Sequence, residues 1–453
     1  MHFIPARPRL LSLTWPLFAE LILGFGVGLL GLWLAARSSD NAAAAFALSN
    51  HLLSAFFLLF RIISMGLSVV ITQNLGASNR VDADRTARAA LGATTWLAIF
   101  TAVLVFFGAE FLLTAMNAPL PVLQLAKPYL QMLSLALALD AYNATMASVM
   151  RAHLRTRDTM LNILAMHALH LILCFPLMQS MGLVGFAVAM AISRAFGLAW
   201  HILLWRWRLE LIPHARDWWT LHGKILAPVL HIGLPGAAEN IAYRMGLLVS
   251  INVVSGLGAT QLATHSYTSQ IMNMIVLFTT AIGFACEILI GHLIGAGQLH
   301  EANRLLRKCL FWGLGVSFCL AIIAALTAQW TMRLFTQDAQ IIASATTLIW
   351  LTVVLEPGRT CNIIVINALR ATGDARFPVF AGAASMLLIL AGGSWLLGMY
   401  FKLGLVGVWV AYATDEWVRG IIMTTRWFRF GWLPSARKTR RRVVQQRDFI
   451  LAN

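Results

Sequence analysis

Residues 89–109 read AALGATTWLAIFTAVLVFFGA, an uninterrupted run without a charged side chain. A helix needs about 20 apolar residues to cross the roughly 30 Å hydrocarbon core of a bilayer, so this run is long enough to span one. Similar runs recur along the 453 residues, of which 59% are hydrophobic and 11% are charged. Because a soluble chain carries roughly 25% charged residues, the chain is predicted to be an integral membrane protein.

Apolar runs of spanning length occur twelve times and predict an all-α polytopic fold. The predicted spans are 14–36, 42–73, 89–109, 122–150, 159–180, 182–205, 225–254, 260–294, 309–329, 340–369, 377–399 and 403–428. The N-terminal sequence MHFIPARPRL lacks the small-residue cleavage site of a signal peptide, so the first span is expected to be retained.

Basic residues are concentrated at both termini and in the connections after spans 2, 4, 6, 8 and 10. The other connections hold only Arg37, Lys127, Arg333 and Lys402. By the positive-inside rule, both termini are predicted to be cytoplasmic, in a bacterial inner membrane. The net charge of +16 is thus attributed to orientation. No nucleic-acid partner is expected, and the basic tail is expected to touch anionic headgroups.

The sequence repeats itself at an offset of 219, at which Pro16 and Glu20 fall on Pro235 and Glu239. Further matches join Gly76-Ala77 to Gly295-Ala296, Asn143 to Asn362, Arg151-Ala152 to Arg370-Ala371 and, at an offset of 222, Gly182-Leu183-Val184-Gly185 to Gly404-Leu405-Val406-Gly407. A nearly constant offset across six helices indicates a tandem duplication.

Two copies of six spans insert the same way up, because six is even, and a pseudo-twofold axis along the membrane normal is expected to relate them. The predicted parts are a cytoplasmic N-terminus at 1–13, an N-lobe at 14–205, a cytoplasmic linker at 206–224, a C-lobe at 225–430 and a basic cytoplasmic tail at 431–453. Transporters with such repeats hold their substrates between the halves, near the midplane. A monomer is expected.

Twelve ionisable residues lie within the predicted spans. The acids are Glu20, Asp140, Glu239, Glu287, Glu356, Asp415 and Glu416, and the bases are Arg61, Arg194, Arg244, Arg359 and Arg419. If unpaired, at about 2.5–3.5 kcal/mol each, they would cost on the order of 30–40 kcal/mol. A net stability of about 5–15 kcal/mol cannot absorb this cost, so they must pair, lose their charge or face water inside the bundle.

Spacing along a helix predicts some of the pairs. Asp415 and Arg419 are four residues apart with the acid first, the favourable order for a structural ion pair. Glu356 and Arg359 are three residues apart, and a structural and a functional role are equally open for them.

Two glutamates, Glu20 and Glu239, each follow a proline by one turn, Pro16 and Pro235 respectively. A proline frees a backbone carbonyl and lets the helix bend, so a carboxyl beside it is a candidate to carry a coupling proton. The alternative is a carboxyl satisfied by nearby backbone or by Asn and Ser neighbours, since Arg244, five residues after Glu239, is poorly placed to meet it.

Asp140 falls on Arg359 at the offset of 219, and each is followed three residues later by an asparagine, Asn143 or Asn362. Opposite charges at equivalent positions suggest two hypotheses. The two residues either wall one cavity on both sides of the axis or lock the lobes together.

The motifs of metal sites and enzymes are missing from the sequence. The five cysteines are scattered, and His167 and His170 lack an obvious carboxylate partner, so neither a disulfide framework nor a metal site is predicted. There is no H-E-x-x-H, G-x-S-x-G or glycine-rich phosphate loop, and no enzymatic activity is expected.

Several motifs resemble those of the multidrug and toxin extrusion (MATE) family. They are Gly76-Ala77-x-Asn79 with Asp82-Ala83-x-Arg85, its echo Gly295-Ala296-Gly297-Gln298 with Glu301-Ala302-Asn303-Arg304, the loop Leu369-Arg370-Ala371-Thr372-Gly373-Asp374-x-Arg376, and Gly404-Leu405-x-Gly407-x-Trp409. The resemblance covers residues 10–430. It implies a V-shaped pair of six-helix lobes around a central cavity, which exports organic, often cationic, compounds against inward proton or sodium flow by alternating access.

The family's ionisable residues are only partly matched. Glu239 occupies the place of a coupling glutamate on the seventh helix. Gly31 stands where the family has an aspartate on the first helix, and Arg359 stands where it has one on the tenth. The ion-coupling candidates are therefore Glu239, Glu20, Asp140 and Glu356. The substrate-cavity candidates are Asn50, His51, Asn143, Tyr243, Gln270, Arg359 and Asn362.

The expected function is secondary active transport, namely cation-coupled antiport of amphipathic organic compounds. No cofactor is expected besides the transported H+ or Na+, and the expected partners are small organic substrates, the coupling ion and membrane lipids. The alternative is a flippase for lipid-linked intermediates on a related two-lobe fold, whose centre should hold an excess of Arg and Lys. Seven acids against five bases in the spans favour cationic substrates.

Overall fold

The computed structural model describes residues 10–452, and all regular structure within them is helical, which confirms the predicted all-α fold. Its helices are α1 (Leu10–Ser38), α2 (Asp40–Gly76), α3 (Arg80–Ala115), α4 (Leu120–Ala152), α5 (Thr156–Met181), α6 (Leu183–Leu204), α7 (Gly223–Gly256), α8 (Ala259–Gly295), α9 (Leu299–Leu326), α10 (Ala328–Arg333), α11 (Ala339–Ala371), α12 (Arg376–Ser385), α13 (Gly392–Trp395), α14 (Gly404–Phe428) and α15 (Leu433–Ala452). Most of the predicted N-terminal segment 1–13, with Arg7 and Arg9, lies outside the described residues.

Eleven helices of the described chain are long and apolar enough to cross a membrane. One of them is the continuous rod Arg376–Tyr400, which contains α12 and α13. The twelfth predicted span, 403–428, corresponds to α14, which is 25 residues long but carries Asp415, Glu416 and Arg419 in its second half. Its charge, rather than its length, sets α14 apart from the other eleven.

The backbone repeats at the same offset as the sequence. Ser78 (φ 59°) and Gly297 (φ 76°) adopt the left-handed conformation in the turns after α2 and α8. Leu154 (φ 63°) and Gly373 (φ 89°) do so after α4 and α11. In both pairs the second copy has a glycine, which adopts this conformation without the steric cost of a Cβ atom.

The first compact unit comprises Ala19–Leu234. Its central helix is α4, which packs against α2, α3 and α6, and α5 packs against α6. Buried rings of Phe46, Tyr129 and Phe186 form part of its core, with the Phe46 and Phe186 centroids 5.2 Å apart in an edge-to-face arrangement. Because lipid is as apolar as such a core, close packing of this kind is what holds membrane helices together.

The predicted linker 206–224 packs on the first unit. The indole N–H of Trp96 on α3 donates a hydrogen bond to the Trp219 carbonyl at 3.0 Å, and the Trp218 ring lies 5.3 Å from that of Tyr142. These contacts anchor the connection between α6 and α7. The predicted boundaries of the lobes, linker and tail stay predictions.

The second compact unit comprises, of the described chain, residues 10–18 and everything from Pro235 onward. Its central helix is α11, which packs against α8, α9 and α14. The Phe18 ring of α1 meets the Phe278 ring of α8 edge-to-face at 5.7 Å. The division between the units thus falls within α1 and α7, close to Pro16 and Pro235.

Candidate functional site

A glutamate–arginine pair occupies the same position in each unit. Glu20 Oε2 accepts a hydrogen bond from Arg151 Nη2 at 2.6 Å, and Glu239 Oε2 accepts one from Arg370 Nη2 at 2.5 Å. Both glutamates are buried, and the partners are 131 residues apart in each pair. The pairs join α1 to the end of α4 and α7 to the end of α11, so an arginine balances the charge of Glu20 and of Glu239, two of the four coupling candidates.

The alternative prediction was that backbone groups or Asn and Ser neighbours satisfy the carboxyl groups of Glu20 and Glu239. The structure instead gives each carboxylate an arginine partner. Arg151 and Arg370 fall in the connections that the positive-inside rule assigns to the cytoplasm. Their guanidinium groups nevertheless reach back to buried carboxylates, because each arginine is in the last turn of a helix that packs within its unit. Whether α1 and α7 bend at their prolines stays a prediction.

A second ion pair is also duplicated, but with its polarity reversed. In the first unit the acid is on α4 and the base on α6, with Asp140 Oδ1 and Arg194 Nε 2.6 Å apart. In the second unit the base is on α11 and the acid on α14, with Arg359 Nε and Glu416 Oε1 3.1 Å apart. In residue number, Asp140 and Arg359 differ by 219 and Arg194 and Glu416 by 222, the two offsets at which the halves of the sequence align.

This pairing bears on the two hypotheses for Asp140 and Arg359. Each residue forms its ion pair inside its own unit, so neither requires the other to neutralise it. The predicted joint role of the two residues in one cavity or lock stays a prediction.

In the second unit the reversed pair belongs to a larger buried cluster on α11 and α14. Arg359 donates to Glu356 Oε1 at 2.9 Å as well as to Glu416. Arg419 donates to Asp415 Oδ2 at 2.6 Å and lies 3.1 Å from Glu416 Oε1. Glu416 therefore bridges two arginines, and the predicted Asp415–Arg419 pair is one arm of this network.

The hydrogen bonds around the cluster leave one carboxylate oxygen without a partner. Asn362 Nδ2 donates to Glu416 Oε2 at 2.9 Å, and Ser385 Oγ on α12 donates to Asp415 Oδ1 at 2.6 Å. Glu356 is fully buried, and its Oε2 makes no hydrogen bond within the described part of the chain. The network thus holds three carboxylates and two guanidinium groups, with the free oxygen on Glu356.

Glycines bring the two helices of the cluster close enough for these contacts. A Cβ atom on Gly420 would lie 2.7 Å from the Gly358 carbonyl oxygen, and one on Gly358 would lie 2.8 Å from the Trp417 ring. Pro357, between Glu356 and Gly358, removes a backbone N–H from α11 at this point. Close backbone approach at small residues is the usual basis of helix pairing in membranes.

The corresponding region of the first unit is built from amides and histidine. Asn143 Nδ2 donates to the Arg194 carbonyl at 2.9 Å, and Asn143 Oδ1 lies 3.0 Å from His201 Nδ1. Asn162 Nδ2 lies 2.8 Å from the same nitrogen. Asn143, predicted as a cavity residue, is therefore buried in a structural network between α4, α5 and α6.

Aromatic rings surround Gly31, the position at which the resemblance predicts an aspartate. A Cβ atom on Gly31 would lie 2.7 Å from Cζ of Phe46 and 2.9 Å from Cζ of Phe186. No side chain fits there without moving a ring. Gly31 is therefore packed in an aromatic core, and the family aspartate expected at this position stays a prediction from the resemblance.

The remaining cavity candidates lie in both units. On α2, Asn50 donates to the Phe46 carbonyl at 3.1 Å and His51 is exposed. In the second unit, Tyr243 on α7 lies under the Arg419 guanidinium, 5.7 Å from the ring centroid, and Gln270 on α8 is exposed. Their role as the lining of a substrate cavity stays a prediction.

Sequence reasoning missed Glu416 as a site residue, although it is the most connected acid of the cluster. It also missed Arg151, Arg194 and Arg370 as partners. One signal was available, because the offset of 222 aligns Glu416 with Arg194 and the offset of 219 aligns Arg151 with Arg370. The partners in these ion pairs are therefore indicated by comparing equivalent positions of the two copies, rather than by examining each position alone.

The chain is a polytopic helical protein built from two copies of one unit, and both copies bury ionisable side chains. These features are typical of a duplicated membrane transporter. The family model described as MatE matches residues 16–176 and again 235–395, so both limits are displaced by the offset of the internal repeat. The chain belongs to this family, the MATE multidrug transporters, whose members are transporters and not enzymes. The duplication and the family resemblance are thereby confirmed.

Individual relatives agree with the family assignment. The chain is 34% identical over 430 residues to the uncharacterized transporter YisQ of Bacillus subtilis, with 94% of each chain covered. It is 24% identical to the probable multidrug resistance protein NorM of Thermotoga maritima, with 97% of this chain and 96% of the relative covered. These relatives do not favour the flippase alternative.

Solved structures share the fold. A MOP superfamily transporter from Pyrococcus furiosus, described as having a binding pocket of reverse polarity, superposes with a TM-score of 0.84 at 18% identity, covering 94% of this chain and 96% of that one. The bent form of the Vibrio cholerae MATE transporter VcmN superposes with a TM-score of 0.83 at 16% identity, covering 95% and 97%.

Proposed function

We propose that this transporter exports amphipathic, preferentially cationic, organic compounds across the bacterial inner membrane in exchange for protons, with both termini in the cytoplasm. The observation that carries the proposal is the surplus carboxylate of the cluster on α11 and α14. Family membership supports export of organic compounds, and the distribution of basic residues supports the orientation.

Charge balance explains why the cluster would bind a cation. With every group ionised, Glu356, Asp415 and Glu416 outnumber Arg359 and Arg419 by one negative charge. A net charge inside a membrane protein costs several kcal/mol unless something neutralises it. A proton on the free oxygen of Glu356 removes the surplus without moving any group.

A proton suits this position better than Na+. A hard cation needs several oxygen ligands at short distance. Here Asn362 and the two guanidinium groups already occupy the oxygens of Glu416, and Ser385 and Arg419 occupy those of Asp415. Among the described residues, two oxygens of these groups make no hydrogen bond, Glu356 Oε2 and the amide Oδ1 of Asn362. That is enough for a proton on Glu356 and too few ligands for a metal ion.

The same surplus charge favours cationic cargo. A cationic substrate and a proton would each neutralise it, and both together would overcharge the cluster. Competition for one negative charge couples uptake of the proton to release of the substrate, which is the requirement for antiport.

The test is ethidium transport in proteoliposomes under an imposed proton gradient and then an imposed sodium gradient. The proton gradient should drive transport, and Glu356→Gln should abolish the response. The matched control is Glu110→Gln, because Glu110 is an exposed acid paired with Lys127 at 2.6 Å. A response to sodium alone, or an unchanged response in Glu356→Gln, would overturn the coupling proposal.

A further inference from the structure

A crevice of about 320 Å³ lies between α12 and the C-terminal end of α14 in the second unit. Phe377, Ile421 and Ile422 form its apolar wall, and Thr425, Arg426 and Arg429 form its polar side. The crevice thus combines an apolar surface with two guanidinium groups. None of its residues belongs to the ion-pair cluster described above.

The apolar wall is open to the hydrocarbon. The Ile421 side chain is 57% exposed, and Phe380, one turn after Phe377 on α12, is 75% exposed. Side chains this apolar and this exposed on spanning helices face lipid chains. The wall is therefore accessible to acyl chains at Ile421, while Phe377 and Ile422 are half-buried.

The two arginines of the polar side have different surroundings. Arg426 Nε donates to Asp374 Oδ2 at 3.0 Å, and its guanidinium lies 4.6 Å from the centre of the Phe377 ring. Arg429 is exposed and has no acidic partner within residues 10–452. Gly431 packs closely against Arg426, since a Cβ atom on Gly431 would lie 2.8 Å from Cδ of Arg426. Arg426 is thus held in place, and Arg429 keeps its charge for a ligand.

The basic helix α15 begins just beyond the crevice. Ala436, Thr439 and Val443 form its buried face, and Thr439 Oγ1 donates to the Thr372 carbonyl at 3.3 Å. Its exposed face carries Arg437, Lys438, Arg440 and Arg441. The only acid of α15, Asp448, is already paired with Arg447 at 2.8 Å. The chain that follows the crevice is therefore strongly basic, and within the crevice the arginine without an acidic partner in the described chain is Arg429.

We propose that this crevice is a binding site for an anionic diacyl phospholipid, with an acyl chain on the wall of Phe377, Ile421 and Ile422 and the phosphate at Arg429. Basic pockets between membrane helices on the cytoplasmic side are suited to anionic headgroups. A soluble anion would leave the apolar wall unused. A second copy of the chain that used the same face would bring its own exposed Arg429 against this one, so a lipid fits best.

The experiment measures lipid binding by the full-length protein in detergent, using native mass spectrometry with phosphatidylglycerol and phosphatidylcholine of identical acyl chains. Phosphatidylglycerol should bind more tightly, and Arg429→Gln should weaken its binding about fivefold, the effect of one basic residue at a membrane surface. Arg429→Lys keeps the charge and should bind nearly as well. Arg333→Gln removes an exposed arginine elsewhere in the unit and should change nothing.

Several outcomes would overturn the proposal. They are equal binding of the two lipids, unchanged binding by Arg429→Gln, and displacement of phosphatidylglycerol by millimolar inorganic phosphate, which would indicate a site for a soluble anion. Thermal unfolding without added lipid shows whether Arg429→Gln is folded, and loss of binding by both Arg429 variants would also count against the charge-based site. Because no transport is measured, a failure here leaves the antiport proposal untouched.

Discussion

Replacing Arg359 with glutamine tests the ion-pair cluster most severely. Arg359 is 3% exposed and makes hydrogen bonds of 2.9 Å to Glu356 and 3.1 Å to Glu416. Its removal leaves three buried carboxylates with one guanidinium, Arg419. Breaking a buried ion pair by removing one partner costs about 3–5 kcal/mol, because a buried charge loses its compensation. Arg359→Gln should therefore be one of the most destabilising polar substitutions in the second unit.

The chain carries its own reporters for this measurement. Cys174 in the first unit and Cys286 and Cys309 in the second are buried, whereas Cys319 is exposed and Cys361 is half-buried. With Cys319 and Cys361 replaced by serine in every variant, a thiol-reactive dye labels the three buried cysteines only after unfolding. A loss of about 3–5 kcal/mol corresponds to a fall in Tm of roughly 6–20 °C for a unit of about 200 residues. The double variant Arg359→Gln with Glu356→Gln removes one excess charge and should recover at least about 1 kcal/mol.

Two results would refute this reasoning. The first is an Arg359→Gln protein whose Tm equals that of the wild type or of the exposed control Arg333→Gln. The second is a double variant no more stable than the single one, which would mean that Glu356 and Arg359 do not interact in the folded protein.

Three further experiments test the other buried positions. Gly31→Asp should lower stability by at least about 1–3 kcal/mol in the same thiol assay, because two phenylalanine rings fill the space; wild-type stability would contradict the packing. Glu239→Gln should lower the free energy of unfolding by about 3 kcal/mol and Glu20→Gln by about 1 kcal/mol. The reason is that the side chain of Arg370, the partner of Glu239, is 8% exposed, whereas that of Arg151, the partner of Glu20, is 26% exposed. Equal losses of stability in the two variants would contradict this prediction. Swapping Asp140→Arg with Arg194→Asp should recover at least about 1 kcal/mol relative to either single variant, and a swap as unstable as the singles would show that this unit does not tolerate the reversed polarity.

The fold could be predicted because its signals are local or repetitive. A run such as 89–109 identifies a membrane helix without reference to any other part of the chain. The duplication is visible as a constant offset, and the family match confirms it. The exception is α14, whose charges at Asp415, Glu416 and Arg419 make it less apolar than its eleven companions.

The ion pairs could be predicted only where helix spacing brings the partners together. Asp415 and Arg419 are neighbours on one helix turn, and the structure forms that pair. Glu20 and Arg151 are separated by 131 residues, and nothing local in the sequence links them. Their contact depends on how α1 packs against α4, which helical periodicity does not specify.

The aromatic core at Gly31 could not be predicted for a different reason. A glycine in place of a family aspartate shows only that a charge is missing. That Phe46 and Phe186 fill the space follows from the packing of three helices, and the resulting volume is a property of the fold. Because these rings leave no room for an acid at position 31, the proposal places the coupling group in the cluster of the second unit.

The most direct test of the central claim is a count of protons released when purified protein binds ethidium in weakly buffered detergent solution. The surplus carboxylate predicts release of up to one proton per bound ethidium by the wild type and by Glu110→Gln, and none by Glu356→Gln. Ethidium binding without proton release in the wild type, or undiminished release from Glu356→Gln, would contradict it.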